Sequence, residues 1–342
     1  WVVACLGDCR RATALGEECL ALSRQAEDRS CMAWSLSALS YSAHMQGDWA
    51  RAGPLAEESL VLFREAKDRR GTAWALLAVG SCIHGHAGRR AELMEEGLAL
   101  SQASGHRWLS GVILYNLGGE YAATQPERAR ALYEEGLAIG RELRDRYLCA
   151  LTLAGLSRVA QSMGDELRAI ALLEGSVAAS RGVGDRHFTL GALIALGRHS
   201  FARGEYERAR SSFEEGLALR RQGDDIHRIA CALLDVAHAA WLQGEHGVTQ
   251  SHTVEALGLF QARNDKEGVL AALESLGVAA LAQGRKESAA WLLGAVEALR
   301  ESLRLRGPDW WRRPRERMAE AARAASLPQA FAAAWAEGQA LS

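Results

Sequence analysis

The side chains of this chain that could do chemistry fall into a few groups. Arg158, Arg198 and His238 stand forty residues apart, and stacked guanidinium and imidazole groups could hold a carboxylate or a phosphate. Cys82, His84 and His86 form a Cys-x-His-x-His string with donor types suited to zinc or copper. Alternate residues of a helix do not point one way, and no fourth ligand is evident, so the string reads better as a polar turn with a packed thiol. Trp310-Trp311-Arg312-Arg313-Pro314-Arg315 interleaves aromatics with cations, a composition that stacks on bases or touches anionic lipid. Asp309 and Glu316 dilute that charge, so these tryptophans are expected to seal the end of a fold. Paired glutamates at 57/58, 95/96, 134/135 and 214/215 look like acid–base pairs, but neighbours in a helix diverge by about 100°. They read as a solvated face. No His-Glu-x-x-His, Gly-x-Ser-x-Gly or Gly-x4-Gly-Lys-Ser/Thr motif occurs. Nothing here points to an enzyme, a cofactor or a metal.

What must position these residues is a repeat. A glycine, usually followed by an acid, recurs at Gly7-Asp8, Gly47-Asp48, Gly164-Asp165, Gly204-Glu205 and Gly244-Glu245, and Gly284-Arg285 continues the series. Gly85 and Thr124 fill the gap with steps of 38, 39 and 40 residues. A fixed period of about 40 signals a solenoid.

The unit Asp185–Asp225 shows the plan. Asp185 suits an N-cap. Phe188, Leu190, Leu193, Ile194 and Leu196 follow at helical spacing, and Gly204 ends the helix in the left-handed conformation. A second helix starts at Glu205 and carries Tyr206, Ala209, Phe213, Gly216, Leu217 and Leu219 on one face. Asp28, Asp68 and Asp145 mark the same start elsewhere. Seven such pairs are expected between about 30 and 302, preceded by a lone second helix over 8–26. Arg306-Gly307-Pro308 breaks the pattern. Pro314–Ala325 and Pro328–Leu341 read as two capping helices. The expected division is 1–302 solenoid and 303–342 cap.

Composition agrees. Of 342 residues 49% are hydrophobic, so the chain is not disordered, and net charge −2 gives no pull toward nucleic acid. No apolar run is long enough to span a membrane. Seven cysteines, several of them in apolar runs, fit a reducing cytoplasm. Lysine occurs only at 67, 266 and 286, and the arginine and alanine excess fits a GC-rich bacterial genome.

Leu196-Gly197, Gly204, Ala209, Phe213 and Gly216, with Leu276-Gly277, Gly284, Ala289, Leu293 and Val296, resemble tetratricopeptide repeats. The longer unit and its Asp cap depart from the usual 34 residues. This form is similar to the sensor arrays of bacterial signal-transduction ATPases of the MalT and LuxR-type regulator group. Trp291–Arg300 and Phe331–Gly338 resemble the stretch before the DNA-binding helices of such regulators. The resemblance implies an all-α, right-handed superhelical array whose first helices form a concave wall. It also implies an ATPase upstream, a transcriptional output, and a peptide, protein or small-molecule effector in the groove. Wall positions lie six and three residues before each turn glycine: Tyr41 and His44, Arg158 and Gln161, Arg198 and Phe201, His238 and Trp241. Trp34, Trp74 and Tyr115 flank them. A scaffold that takes a partner's helix or tail is the alternative, favoured if Trp34, Trp74, Phe201 and Trp241 form an apolar stripe without internal partners.

Overall fold

The computed structural model describes residues 9–83, 87–183, 186–223, 225–304 and 328–340. Among them are sixteen helices and no strand. In chain order they are α1 Cys9–Gln25, α2 Arg29–Met45, α3 Trp49–Glu65, α4 Arg69–Cys82, α5 Ala87–Ala103, α6 Arg107–Tyr121, α7 Pro126–Glu142 and α8 Arg146–Ser162. Then follow α9 Glu166–Arg181, α10 Arg186–Ala202, α11 Tyr206–Arg220, α12 Ile226–Leu242, α13 His246–Ala262, α14 Lys266–Ala282, α15 Lys286–Leu303 and α16 Pro328–Gln339. The pairs α2/α3 to α14/α15 are the repeats; α1 is the lone second helix. Even-numbered helices up to α14 are called A helices below, and odd-numbered ones B helices. The chain divides into two compact units, Trp1–Ala192 and Leu193–Ser342.

Local chemistry fixes the helix ends. The carboxylates of Asp28, Asp48, Asp68, Asp145, Asp165, Asp225 and Asp265 each accept from the backbone N–H three residues on, at 2.7–3.2 Å. Asp185, expected to do the same, lies outside the described residues. In α6 the His106 imidazole takes this place, accepting from Leu109 N at 3.3 Å. Helix α7 has no side-chain cap and starts on Pro126, whose missing N–H leaves one unpaired donor fewer at that helix start. The A-to-B turns need a left-handed residue. Gly47, Gly164, Gly204, Gly244 and Gly284 supply it with φ of 75–82°.

From α1 to α9 and from α11 to α15 each helix packs on the next, and A helices also touch the next A helix, as α2 does α4, α6 does α8 and α12 does α14. The cores are leucine, alanine and one large B-helix residue per pair, among them Phe213 and Tyr133. The first C-terminal helix expected, Pro314–Ala325, and the Trp310–Arg315 stretch lie outside the described residues. The second is α16, and it packs on α15. The two helices meet backbone to backbone. A Cβ on Gly338 would lie 2.1 Å from Trp291 O, and one on Gly294 would lie 2.4 Å from Trp335 O. Backbone oxygens cannot swing aside, so Gly338→Ala is expected to cost about 1–3 kcal/mol and to release α16. Amide hydrogen exchange over 328–340 should accelerate while that of α12 stays slow; unchanged exchange in α16 would contradict this packing.

The paired glutamates face solvent, and several also stitch successive B helices. Arg51–Glu17 (2.6 Å), Arg64–Glu96 (2.7 Å), Arg128–Glu95 (2.8 Å), Arg168–Glu134 (3.7 Å) and Arg221–Glu255 (2.7 Å) each join one repeat to the next. Being exposed, such pairs contribute little each, on the order of 0–1 kcal/mol.

Candidate functional site

The A-helix face of the first unit carries a three-residue construction at Arg158. Tyr133 belongs to a B helix, α7, and is fully buried. Its ring passes between two A helices where they have no side chains. A Cβ on Gly118 of α6 or Gly155 of α8 would stand 2.6 or 2.4 Å from Tyr133 Cε1. The phenol thus emerges on the far side, where it accepts from Arg158 Nη2 at 3.0 Å. Burial pushes the Tyr133 phenol up, so it stays a neutral hydroxyl. The Tyr115 ring centroid is 5.9 Å from both the Tyr133 ring and the Arg158 guanidinium carbon, within cation–π range. Arg158 itself is exposed. Among the described residues it has no carboxylate within 4.0 Å, unlike the B-helix arginines above. Glu120, whose charge reaches Tyr133, is held by Arg90 at 2.6 Å. The result is a charged, oriented guanidinium with N–H groups left to donate.

Elsewhere in this unit the expected wall residues are bound up in aromatic packing. Trp34 packs edge-on to Phe63 at 4.9 Å, His44 edge-on to Trp49 at 4.5 Å, and Trp74 against Trp108 at 5.7 Å. Trp108 in turn donates from Nε1 to Asp145 at 2.8 Å. Tyr41 is half-buried and Gln161 exposed. Cys82 is half-buried, and burial pushes its thiol up; His84 and His86 lie outside the described residues.

In the second unit two expectations change. Phe201 is 6% exposed and His238 4% exposed, so both are core residues and not wall surface. Phe201 packs on Tyr206 at 5.5 Å. His238 Nε2 lies 2.7 Å from Ser275 Oγ on α14, because position −6 of one A helix meets position −9 of the next. Burial takes the His238 imidazole down to about 3, so it is neutral. Arg198 remains exposed and faces the corresponding −9 residue, Asp235, whose carboxyl group it draws down together with Arg220. Burial outweighs both arginines, since Asp235 is 8% exposed, and the group titrates at about 6. Trp241 is half-buried against the same core. The three-residue anion stripe is therefore not what these positions form. Arg158 stands alone in its unit, Arg198 sits beside a carboxylate, and His238 is sequestered. Glu274 on α14 pairs with Arg300 at 2.9 Å.

Tyr133 and Asp235 were not singled out from the sequence. Tyr133 has a signal that could have found it: a tyrosine nine residues after the turn, where Phe213 stands in another unit, with Gly118 and Gly155 opposite. Asp235 breaks an apolar helix and is visible as such, but its neighbours are not.

No family model matches the chain, and no curated protein matches it. Solved structures do. The sensor-bearing signal-transduction ATPase with numerous domains from Pyrococcus horikoshii, described as having a tetratricopeptide repeat sensor, matches with TM-score 0.60 at 15% identity over 90% of this chain and 52% of that one. The present chain thus spans about half that protein's length. The quorum sensor NprR from B. thuringiensis matches with TM-score 0.57 at 15% identity, over 85% and 83% of the two chains. A Rap protein complexed with competence and sporulation factor matches with TM-score 0.54 at 14% identity, over 79% and 76%. Identities this low speak for architecture alone, and the architecture agrees with the caps, turns and helix pairs above. In fold, the chain is a tetratricopeptide-like repeat array, an all-α solenoid of helix pairs.

Proposed function

We propose that this chain is a regulatory binding module that takes a peptide or protein on its A-helix face, with Arg158 anchoring an acidic group. The observation that carries the reading is the contrast between faces. On the B helices arginines are spent on glutamates of the next repeat, whereas Arg158 is held by two tyrosines and left facing outward. A guanidinium whose orientation is already fixed loses little entropy on binding a carboxylate. Similar arrays include a quorum sensor and the sensor of a signal-transduction ATPase, which supports a regulatory role. The finer reading is a sensor within a bacterial LuxR-type regulator, coupled to an ATPase and a DNA-binding domain. It rests on the resemblance of Trp291–Arg300 and Phe331–Gly338. The scaffold alternative gains nothing from the aromatics, since Trp34, Trp74 and Phe201 all have internal partners.

The test is a random-peptide library panned against the chain, followed by hydrogen exchange of the complex with a selected peptide. Protection is expected on A helices, and the selected peptides should share an acidic residue. Arg158→Ala is expected to weaken them by about 1.5–3 kcal/mol, roughly ten- to hundredfold in Kd. Protection confined to the B helices would sink the reading.

A further inference from the structure

The geometry points to a binding cleft between two B helices of the first unit: we propose that the space between α3 and α5 takes a free aliphatic α-amino acid, leucine or one like it. Its side chain lies on the apolar floor of the cleft, its ammonium group on Glu57 and its carboxylate on Arg89.

The repeat register singles out this place. Counted from the turn glycine (or Thr124), the glutamate ten residues on pairs with the arginine four residues after the next turn. Glu17 meets Arg51 at 2.6 Å, Glu95 meets Arg128 at 2.8 Å and Glu134 meets Arg168 at 3.7 Å. Glu57 and Arg89 hold the same two positions, and they do not pair. Arg89 turns to Glu92 of its own helix, 3.2 Å away. Among the described residues Glu57 makes no ion pair. Further along the same two helices the register is kept. Arg64 meets Glu96 at 2.7 Å, as Arg221 meets Glu255 in the second unit. Helices α3 and α5 are thus tied at one end and open at the other.

The opening traces to α4. It has 14 residues, against 17 in α2, α8, α12 and α14. Three residues fewer leave it about 4–5 Å short, and Ile83 leaves the helix in an extended conformation. The space between α3 and α5 stays partly unfilled, as a cleft of about 290 Å³. Leu60 of α3, Val79 and Ile83 of α4 and Leu93 of α5 make its floor, and Glu57 and Arg89 line it from α3 and α5. Val61, 56% exposed, stands at the rim.

The pattern of charge selects the occupant. A fatty carboxylate would meet Glu57, and a simple amine would meet Arg89. A zwitterion satisfies both, and its branched side chain covers the floor. The Arg89–Glu92 pair is 64% and 68% exposed, so a ligand carboxylate displaces it at little cost. Charges at such a rim choose a ligand more than they hold it, and the affinity comes from the apolar contact. The volume is at the lower end of ligand pockets, roughly 300–1,000 Å³, which suits one amino acid and not a folded peptide.

The probes are L-leucine and its two halves, isocaproate without the ammonium and isoamylammonium without the carboxylate. Each is titrated into the full chain with methyl-labelled isoleucine and valine. Leucine is expected to shift the Ile83, Val61 and Val79 methyl signals saturably and to leave that of Ile170, buried in α9, in place. Each half should bind about fivefold more weakly, the upper worth of one exposed charge pair. Glu57→Gln should bring leucine down to the level of isocaproate, and Arg89→Gln down to that of isoamylammonium. Both residues are exposed, so neither change threatens the fold. The proposal is overturned if leucine leaves Ile83 unshifted or if either half binds as tightly as leucine. It is equally overturned if leucine keeps its full advantage in Glu57→Gln or in Arg89→Gln. None of these readouts involves Arg158 or a peptide, so failure here leaves the A-helix reading standing.

Discussion

Tyr133→Ala is expected to lower the stability of the first unit by about 3–5 kcal/mol, the range for emptying a large aromatic site. The side chain is fully buried and fills the slot between Gly118 and Gly155. The two glycines facing the ring have no side chains to extend into the vacated space, so closing that side of the cavity requires moving α6 toward α8. The same variant frees the Arg158 guanidinium. Tyr133→Phe separates the two effects. It keeps the ring and removes only the hydroxyl that accepts from Nη2, so about 0.5–1.5 kcal/mol should be lost. If Arg158 anchors a ligand, Tyr133→Phe should weaken selected acidic peptides several-fold while the helix content stays unchanged. Urea unfolding followed by circular dichroism measures the first quantity. A Tyr133→Ala loss near that of Tyr133→Phe would mean the ring is not what holds the two helices at their spacing.

How much of this was legible follows from what is local. An aspartate before a helix and a glycine after it act on backbone groups within four residues, so Asp28, Asp68, Asp145, Gly164 and Gly204 could be assigned from their own neighbourhoods. Ala209, Phe213 and Gly197 were legible as a motif, and the ring of Phe213 does meet Gly197, where a Cβ would be 2.4 Å away. The wall was not legible position by position. Arg158, Arg198 and His238 hold the same register, yet only the arginines are exposed. Register says where Cα points. What covers it depends on the residue nine before the next turn glycine, which is Ser275 for His238 and Asp235 for Arg198. A long arginine reaches past that neighbour to water, whereas a histidine stops beside it. Tyr133 escaped for the opposite reason. It lies on a B helix, and only the missing side chains at Gly118 and Gly155 let its hydroxyl reach Arg158 on the A-helix face.

The second large effect is a pair of opposed pH dependences in the second unit. His238 binds a proton in the unfolded chain near its ordinary 6.5 but in the folded one only near 3, because burial excludes the charged ring. Below 6.5 the unfolded state therefore holds more protons, and stability is lost as pH falls toward 3. At about 1.4 kcal/mol per pH unit of separation, the full loss is roughly 4–5 kcal/mol. Asp235 runs the other way. Its carboxyl titrates at about 6 when folded against 3.8 ordinarily, so the folded state holds more protons between those values. Stability is then present below 3.8 and falls as pH rises through 6, by roughly 3 kcal/mol in all. Between about pH 4 and 6 the two slopes cancel, and the wild-type contribution from this pair is nearly level. Substitution should expose each slope. Asp235→Asn is expected to stabilise the chain at pH 7 by up to about 3 kcal/mol and to make it acid-labile from pH 6.5 downward. His238→Gln, which keeps a partner for Ser275, should instead make it more stable at pH 4 than at pH 7. Urea midpoints at half-unit pH steps measure both curves, with Asp235→Asn/His238→Gln as the flat reference. Parallel curves for wild type and Asp235→Asn would place that carboxyl in water and remove the burial on which its assignment depends.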